Sequence, residues 1–180
     1  VKCNRRNKHQ INENLFEKID CEWKAYFLGF MYADGNVTIS PYYTAKIGLR
    51  EDDAYILEIL SKMIYGLSRL KRRESFKFTS PLNKKEYIAK PQYRLAIYRK
   101  QIVNDLIRLG CMPAKSLILE FPTPNQVPNN LIHHFIRGYF DGDGCVTNTR
   151  INTNNKRYLG AVSICVSQNF GNKLKDFLKE

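Results

Sequence analysis

The sequence lacks any apolar run approaching the length of a membrane span, and it shows no signal peptide. No membrane partner is expected. Its five cysteines (Cys3, Cys21, Cys111, Cys145, Cys165) are odd in number, scattered, and never in C-x-x-C spacing. That argues against a disulfide framework or a zinc site and for thiols kept in an intracellular, reducing compartment. Cytoplasm, nucleoid and organelle all stay open. Histidine is scarce, and His133 and His134 have no cysteine at ligand spacing, so they read as surface and packing residues. The opening residue is Val1, not Met, which reads as a fragment or a processed product. Acidic residues are the remaining shortage, 17 Asp and Glu against 29 Lys and Arg, leaving a net charge of +12.

The basic charge is concentrated. Between Arg69 and Lys100 there are eleven Lys or Arg residues against Glu74 and Glu86. Such clustering suits a polyanion, most simply nucleic acid, the plainer alternative being a solvated surface. The chain length allows one or two domains, and 43% hydrophobic residues suffice for a core.

Two nine-residue stretches organise the rest: FLGFMYADG at Phe27–Gly35 and IRGYFDGDG at Ile136–Gly144. A constant offset of 109 residues takes Gly29 onto Gly138, Asp34 onto Asp143, Gly35 onto Gly144, Val37 onto Val146 and Thr38 onto Thr147. This is an internal duplication. Each stretch has helical spacing. Ala25, Gly29 and Ala33 form a stripe of small residues continued by Gly138 and Gly142, the pattern of two closely packed helices. Trp23, Phe27, Phe30 and Met31 supply apolar bulk. Gly35 and Gly144 are placed as helix stops. Asp34 and Asp143 then fall in the last turns, where the macrodipole is already negative. Brought together they repel unless a divalent cation sits beside them. DGDG at Asp141–Gly144 is not an EF-hand: the glycine comes too early, and Asn152 stands where a Glu is needed.

The order of periodicities predicts an α+β chain. NVTIS and TAKIGLR alternate as a first hairpin, and Asp52–Tyr65 reads as an Asp-capped helix. Phe76 and Phe78 pair with YRLAIYR across a loop at Ser80–Gln92, and Gln101–Leu109 closes as a helix. A four-stranded antiparallel sheet would carry helices on its apolar face. Its other face, with Lys46, Arg50, Lys71, Arg73, Lys77 and Arg94 beside Asn36, Thr38 and Ser40, could enter a major groove. Leu109–Asn130, with its prolines, is a connector. In the second copy Cys145–Ile151, with Arg150, and Tyr158–Gln168 read as strands, Val162, Ile164 and Val166 facing a core and Ser163, Cys165 and Ser167 the groove. Asn169–Glu180 starts a helix.

The two stretches resemble the signature helices of the LAGLIDADG homing endonucleases in their single-chain, two-repeat form, GYFDGDG being close to the family's usual wording. The resemblance runs from about Asn12 to the end. It implies a pseudo-twofold αββαββα fold with an antiparallel sheet covered by helices on one face, and a second repeat left incomplete. The expected divisions are a basic arm or linker at 1–21, a first repeat with connector at 22–127, and a truncated second repeat at 128–180. The resemblance further implies metal roles for Asp34 and Asp143 with Mg²⁺ or another divalent cation. Catalytic roles would fall to Lys115, near the scissile phosphates, and to Gln168, near the attacking water. The implied activity is cleavage of double-stranded DNA at a long non-palindromic site by a pseudo-twofold monomer. An RNA maturase acting on intron RNA, or a non-cleaving DNA-binding regulator, is the alternative on the same scaffold. Tyr32 departs from the family's pattern, where an acidic residue is usual. The missing half of the second repeat leads us to expect impaired nuclease activity in this chain.

Overall fold

An apolar sequence on every side of one helix puts that helix at the centre of the molecule. Helix α1 (Glu22–Ala33) is that element: every residue from Ala25 to Tyr32 is buried. The computed structural model describes residues 11–152 and 157–179. Trp23, expected in the core, stacks on Phe27 at 5.9 Å but stays half-exposed in the first turn, beyond the rim of the packed layers. Leu15, Phe16 and Ile19, just before α1, are buried. Arg108 donates to the carbonyls of Phe16 and Glu17 and ties that segment down.

After α1 come β1 (Asn36–Thr38) and β2 (Thr44–Arg50), paired antiparallel as the alternation predicts. A short 3₁₀ turn leads into α2 (Ala54–Tyr65). Asp53 makes no side-chain cap, and Asp52 bonds Arg50 instead, so the expected Asp cap is not formed. Gly66, at φ +68°, ends α2 in the left-handed conformation that glycine tolerates. The next strands depart from expectation. β3 (Lys71–Arg73) and β6 (Gln92–Ile97) complete the main sheet in the order β1-β2-β6-β3. Phe76 and Phe78 belong instead to β4 (Phe76–Thr79), which pairs only with β5 (Glu86–Ala89) in a separate two-stranded ribbon. Alternation fixes a face but not a partner, and β5 was hidden inside a lysine-rich stretch that reads as loop. α3 (Lys100–Arg108) closes the first half.

Register puts Val37, Ala45, Ile47, Leu95 and Ile97 on one face of the main sheet, all buried. α2 covers it with Leu57, Leu60 and Ile64, and α3 adds Ile102, Val103 and Leu106. The second half holds α4 (Ile132–Asp143), β7 (Gly144–Asn152), β8 (Arg157–Ile164) and α5 (Gln168–Phe177). β7 and β8 form a hairpin whose apolar face is open: Val146 and Val162 are 72% and 71% exposed. Val162 was expected in a core. Among the described residues no helix lies over that face as α2 lies over β2 and β6. β8 also ends earlier than the alternation suggests, because Ser167 caps α5 by accepting from the Phe170 amide. Ser167 is therefore a cap that also donates to the Leu119 carbonyl, and Gln168 opens a helix rather than ending a strand. Among the described residues Cys21, Cys111, Cys145 and Cys165 are free thiols, and no helix is long and apolar enough to cross a membrane.

Candidate active site

Close approach of α1 and α4 builds the site. A Cβ on Gly29 would stand 2.9 Å from the Phe135 carbonyl carbon and closer still to its oxygen. A Cβ on Gly138 would meet the Tyr26 carbonyl in the same way. The two contacts are related by the 109-residue offset. Gly142 faces the methyl of Ala33, its own counterpart in the first repeat. Only glycine lets these backbones meet, so the small-residue stripe decides the distance between the helix ends. Side chains break the symmetry. The Tyr26 hydroxyl donates to Asp141 Oδ2 at 2.8 Å, whereas the related pair, Phe135 and Tyr32, meets edge-to-face at 4.9 Å. Tyr32, in place of an acid, donates instead to the Leu109 carbonyl at 2.5 Å.

Asp34 ends α1 and Asp143 ends α4. The stop glycines after them work by space rather than by left-handed backbone: a side chain on Gly35 would strike Met31, and one on Gly144 would strike Phe140. Asp34 keeps contact with solvent, yet partial desolvation at the helix junction holds its carboxyl above the ordinary range. The Asp143 charge pushes the same way, and Lys115 opposes both. Lys115 is buried, not exposed as most lysines are; its Nζ donates to the Ala33 carbonyl at 3.0 Å. The preceding Ala114 sits at φ +53°, a left-handed conformation that costs a non-glycine residue about 1–2 kcal/mol. Backbone strain therefore adjoins the lysine. On the other side burial, followed by the Asp143 charge, raises the Tyr139 hydroxyl, which donates to the Cys165 carbonyl at 2.9 Å. Its counterpart in the first repeat is Phe30, with no hydroxyl.

Two cavities open from the junction. One of about 560 Å³ is lined by Lys115, Asp143, Tyr139 and Gln168 among others. The other, about 450 Å³, is lined by Asp34, Asn36, Lys46, Lys71, Gln92, Arg94 and Tyr98. Each aspartate thus opens into its own hollow, and the Asp34 hollow runs onto the cationic face of the main sheet. Register places Asn36, Thr38, Lys46, Arg50, Arg94, Lys71 and Arg73 on that face. Arg50 also pairs with Asp52 at 2.9 Å, and Arg73 lies 3.8 Å over the Phe76 ring. Lys77 lies past the main sheet in β4, which follows β3 in the same hairpin register, opposite Ile88. Ser40 is exposed in the turn after β1. Arg150 lies in β7, opposite Tyr158, and its side chain is outside the described residues.

Two residues escaped the sequence reading. Gln92 stands between Arg50 and Arg73 on the cationic face, with a side chain suited to reading base edges. It was assigned to the loop. Tyr139 beside Asp143 has no sequence signal of its own, since its hydroxyl bond depends on the distant backbone at Cys165. For a cation, the donors here are carboxylate oxygens, which suit hard divalent ions. The like-charge repulsion on Asp34 is what such an ion would relieve. Among the described residues no third acid, His or Cys joins them, so other ligands would be water or phosphate oxygens, as Mg²⁺ tolerates.

Residues 130–177 match the family model described as the LAGLIDADG-like domain. The family expected from the two signature stretches is thus the one found over the second of them. No curated protein matches the chain. Among solved structures, the homing endonuclease I-WcaI bound to its DNA recognition sequence aligns at 10% identity and TM-score 0.46, over 86% of this chain and 64% of that one. The I-LtrWI LAGLIDADG homing endonuclease bound to target DNA aligns at 12% identity and TM-score 0.38, over 84% and 65%. LAGLIDADG meganuclease I-AabMI bound to uncleaved DNA aligns at 14% identity and TM-score 0.35, over 79% and 65%. The chain therefore spans about 65% of the length of these structures.

Proposed function

We propose that this chain acts as a site-specific, metal-dependent double-stranded DNA endonuclease of the homing type, impaired in rate, at a long non-palindromic site. The observation that carries the reading is the junction of α1 and α4, where glycine packing brings Asp34 and Asp143 together beside a cationic sheet face. The family match over 130–177 supports it.

In this reading the main-sheet face docks on DNA. Lys46, Lys71 and Arg73 reach phosphates or base edges, and Asn36, Gln92 and Arg94 read bases in the major groove. Asp34 and Asp143 hold Mg²⁺ or another divalent cation, which when bound activates water and stabilises the leaving 3′ oxygen. Lys115, desolvated between the two aspartates, offers positive charge to the phosphate where negative charge develops. Gln168, at the mouth of the Asp143 cavity, orients the attacking water through its amide. Tyr139 keeps its proton on the hydroxyl oxygen and holds the Asp143 side of the junction. The unlike surroundings of the two aspartates fit an asymmetric site.

The test is a plasmid-nicking assay with Asp34→Asn and Asp143→Asn in Mg²⁺. Each substitution is expected to abolish cutting of at least one strand, by 10²-fold or more in the manner of lost charge-stabilising groups, while duplex binding stays within about threefold. Unchanged nicking in both variants would overturn the reading. Tight, sequence-specific binding with no cutting even on prolonged incubation of the parent chain would favour the maturase or regulator.

A further inference from the structure

The β4–β5 ribbon has the alternation of a core strand but no core. It makes no strand pairing with the main sheet. Register sets Phe76 and Phe78 beside Ala89 and Tyr87 on one face, with Lys77 and Thr79 beside Ile88 and Glu86 on the other. Phe78 and Tyr87 lie 5.8 Å apart at 28°, and Phe76 follows at 6.0 Å from Phe78, a ladder of three rings. Phe78 and Tyr87 are 44% and 43% exposed.

Exposed rings cost free energy unless something covers them, and the surroundings say what would. Arg73 already lies over Phe76, showing that the ladder accepts a planar cation at one end. Lys77, Lys84, Lys85 and Lys90 are exposed nearby, against Glu86 and a Glu74 already paired with Arg72. The turn itself is pinned: Lys84, at φ +58°, donates its amide to the Ser80 carbonyl, and Asn83 Nδ2 donates to the Tyr87 hydroxyl at 2.8 Å. An acidic or neutral protein surface would meet rings or charge, but a strand of unpaired nucleotides offers both π-faces and phosphates. Bases inside a duplex hide their faces in their own stack.

We infer that the β4–β5 ribbon is a stacking platform for single-stranded nucleic acid, binding unpaired bases on Phe78 and Tyr87 and phosphates on the flanking lysines. It lies outside the aspartate cavities and does not depend on cleavage.

Fluorescence anisotropy on the full chain tests this with labelled oligo(dT) and oligo(U) of ~12 nucleotides and with a duplex. Phe78→Ala and Tyr87→Ala are each expected to weaken both single strands by roughly fivefold or more, in line with the loss of one stacked base, and the duplex by less than about twofold. Phe78→Leu, which keeps apolar bulk without a π-face, is expected to show the same loss and so separates stacking from folding. Lys46→Ala, on the main sheet, should do the reverse, weakening the duplex alone. Single-strand affinity unchanged in all three ring variants, or duplex affinity falling as far as single-strand affinity, would overturn the platform.

Discussion

At Asp34 the chain holds a carboxylate where its charge is opposed, partly desolvated and faced by Asp143, with only Lys115 in its favour. A carboxyl whose pKa is raised in the native chain binds its proton more tightly there than in the unfolded chain. Native stability then falls as pH climbs from the unfolded carboxylate value through the raised one, and the loss is complete above both. Asp34→Asn removes the charge. In EDTA it should therefore raise the melting temperature at about pH 7 and give no such gain near pH 3, where the aspartate is already protonated. Added Mg²⁺ should stabilise the parent chain and not the variant. Melting curves at the two pH values, with and without the cation, read this out. An Asp34→Asn variant no more stable than the parent at neutral pH would count against the strained pair.

Between elements, the contact of α1 with α4 carries the most consequence. Replacing glycine by alanine inside a helix normally favours folding by about 1 kcal/mol. At Gly29 the added methyl would run into the Phe135 carbonyl, which is backbone and cannot rotate away, and overpacking of that kind costs about 1–3 kcal/mol. The clash should win. Gly29→Ala and Gly138→Ala are each expected to lower stability by up to about 2 kcal/mol in urea unfolding, the opposite sign to an open helix site. They should also cost DNA cutting, because the helix ends that carry the aspartates would be pushed apart.

This contact was also the most legible part of the sequence. A repeated small-residue stripe with an Asp-Gly ending leaves few arrangements open, so Gly29, Gly138 and both aspartates could be read before any coordinates. The sheet was legible only by half. Lys46 and Arg94 share a face because strand parity is local, but the register of Phe76 is set by the turn at 80–85, which pairs it with Ala89 in β5 and leaves Lys77 past the main sheet. Burial was the least legible feature. Val37 and Val146 hold equivalent positions, yet the first is 2% exposed and the second 72%, because burial depends on what lies over the strand and not on the residue.

The pseudo-twofold relation holds at the α1–α4 contact and fails in the chemistry around it. Lys115 serves the junction from the connector, Tyr139 stands where the first repeat has Phe30, and the Asp34 cavity alone opens onto the broad cationic sheet. In the proposed function, two carboxylates with unlike neighbours would suit the cutting of two strands of an asymmetric site. The most direct measurement is a selection of cut ends from a randomised duplex library in Mg²⁺, run with the parent chain and with Asp34→Asn and Asp143→Asn. The account expects one long, non-palindromic consensus of cut ends from the parent, accumulating at the reduced rate expected of this chain, and none from either variant. A parent chain that enriches no cut ends, or variants that cut the same consensus as the parent, would contradict it.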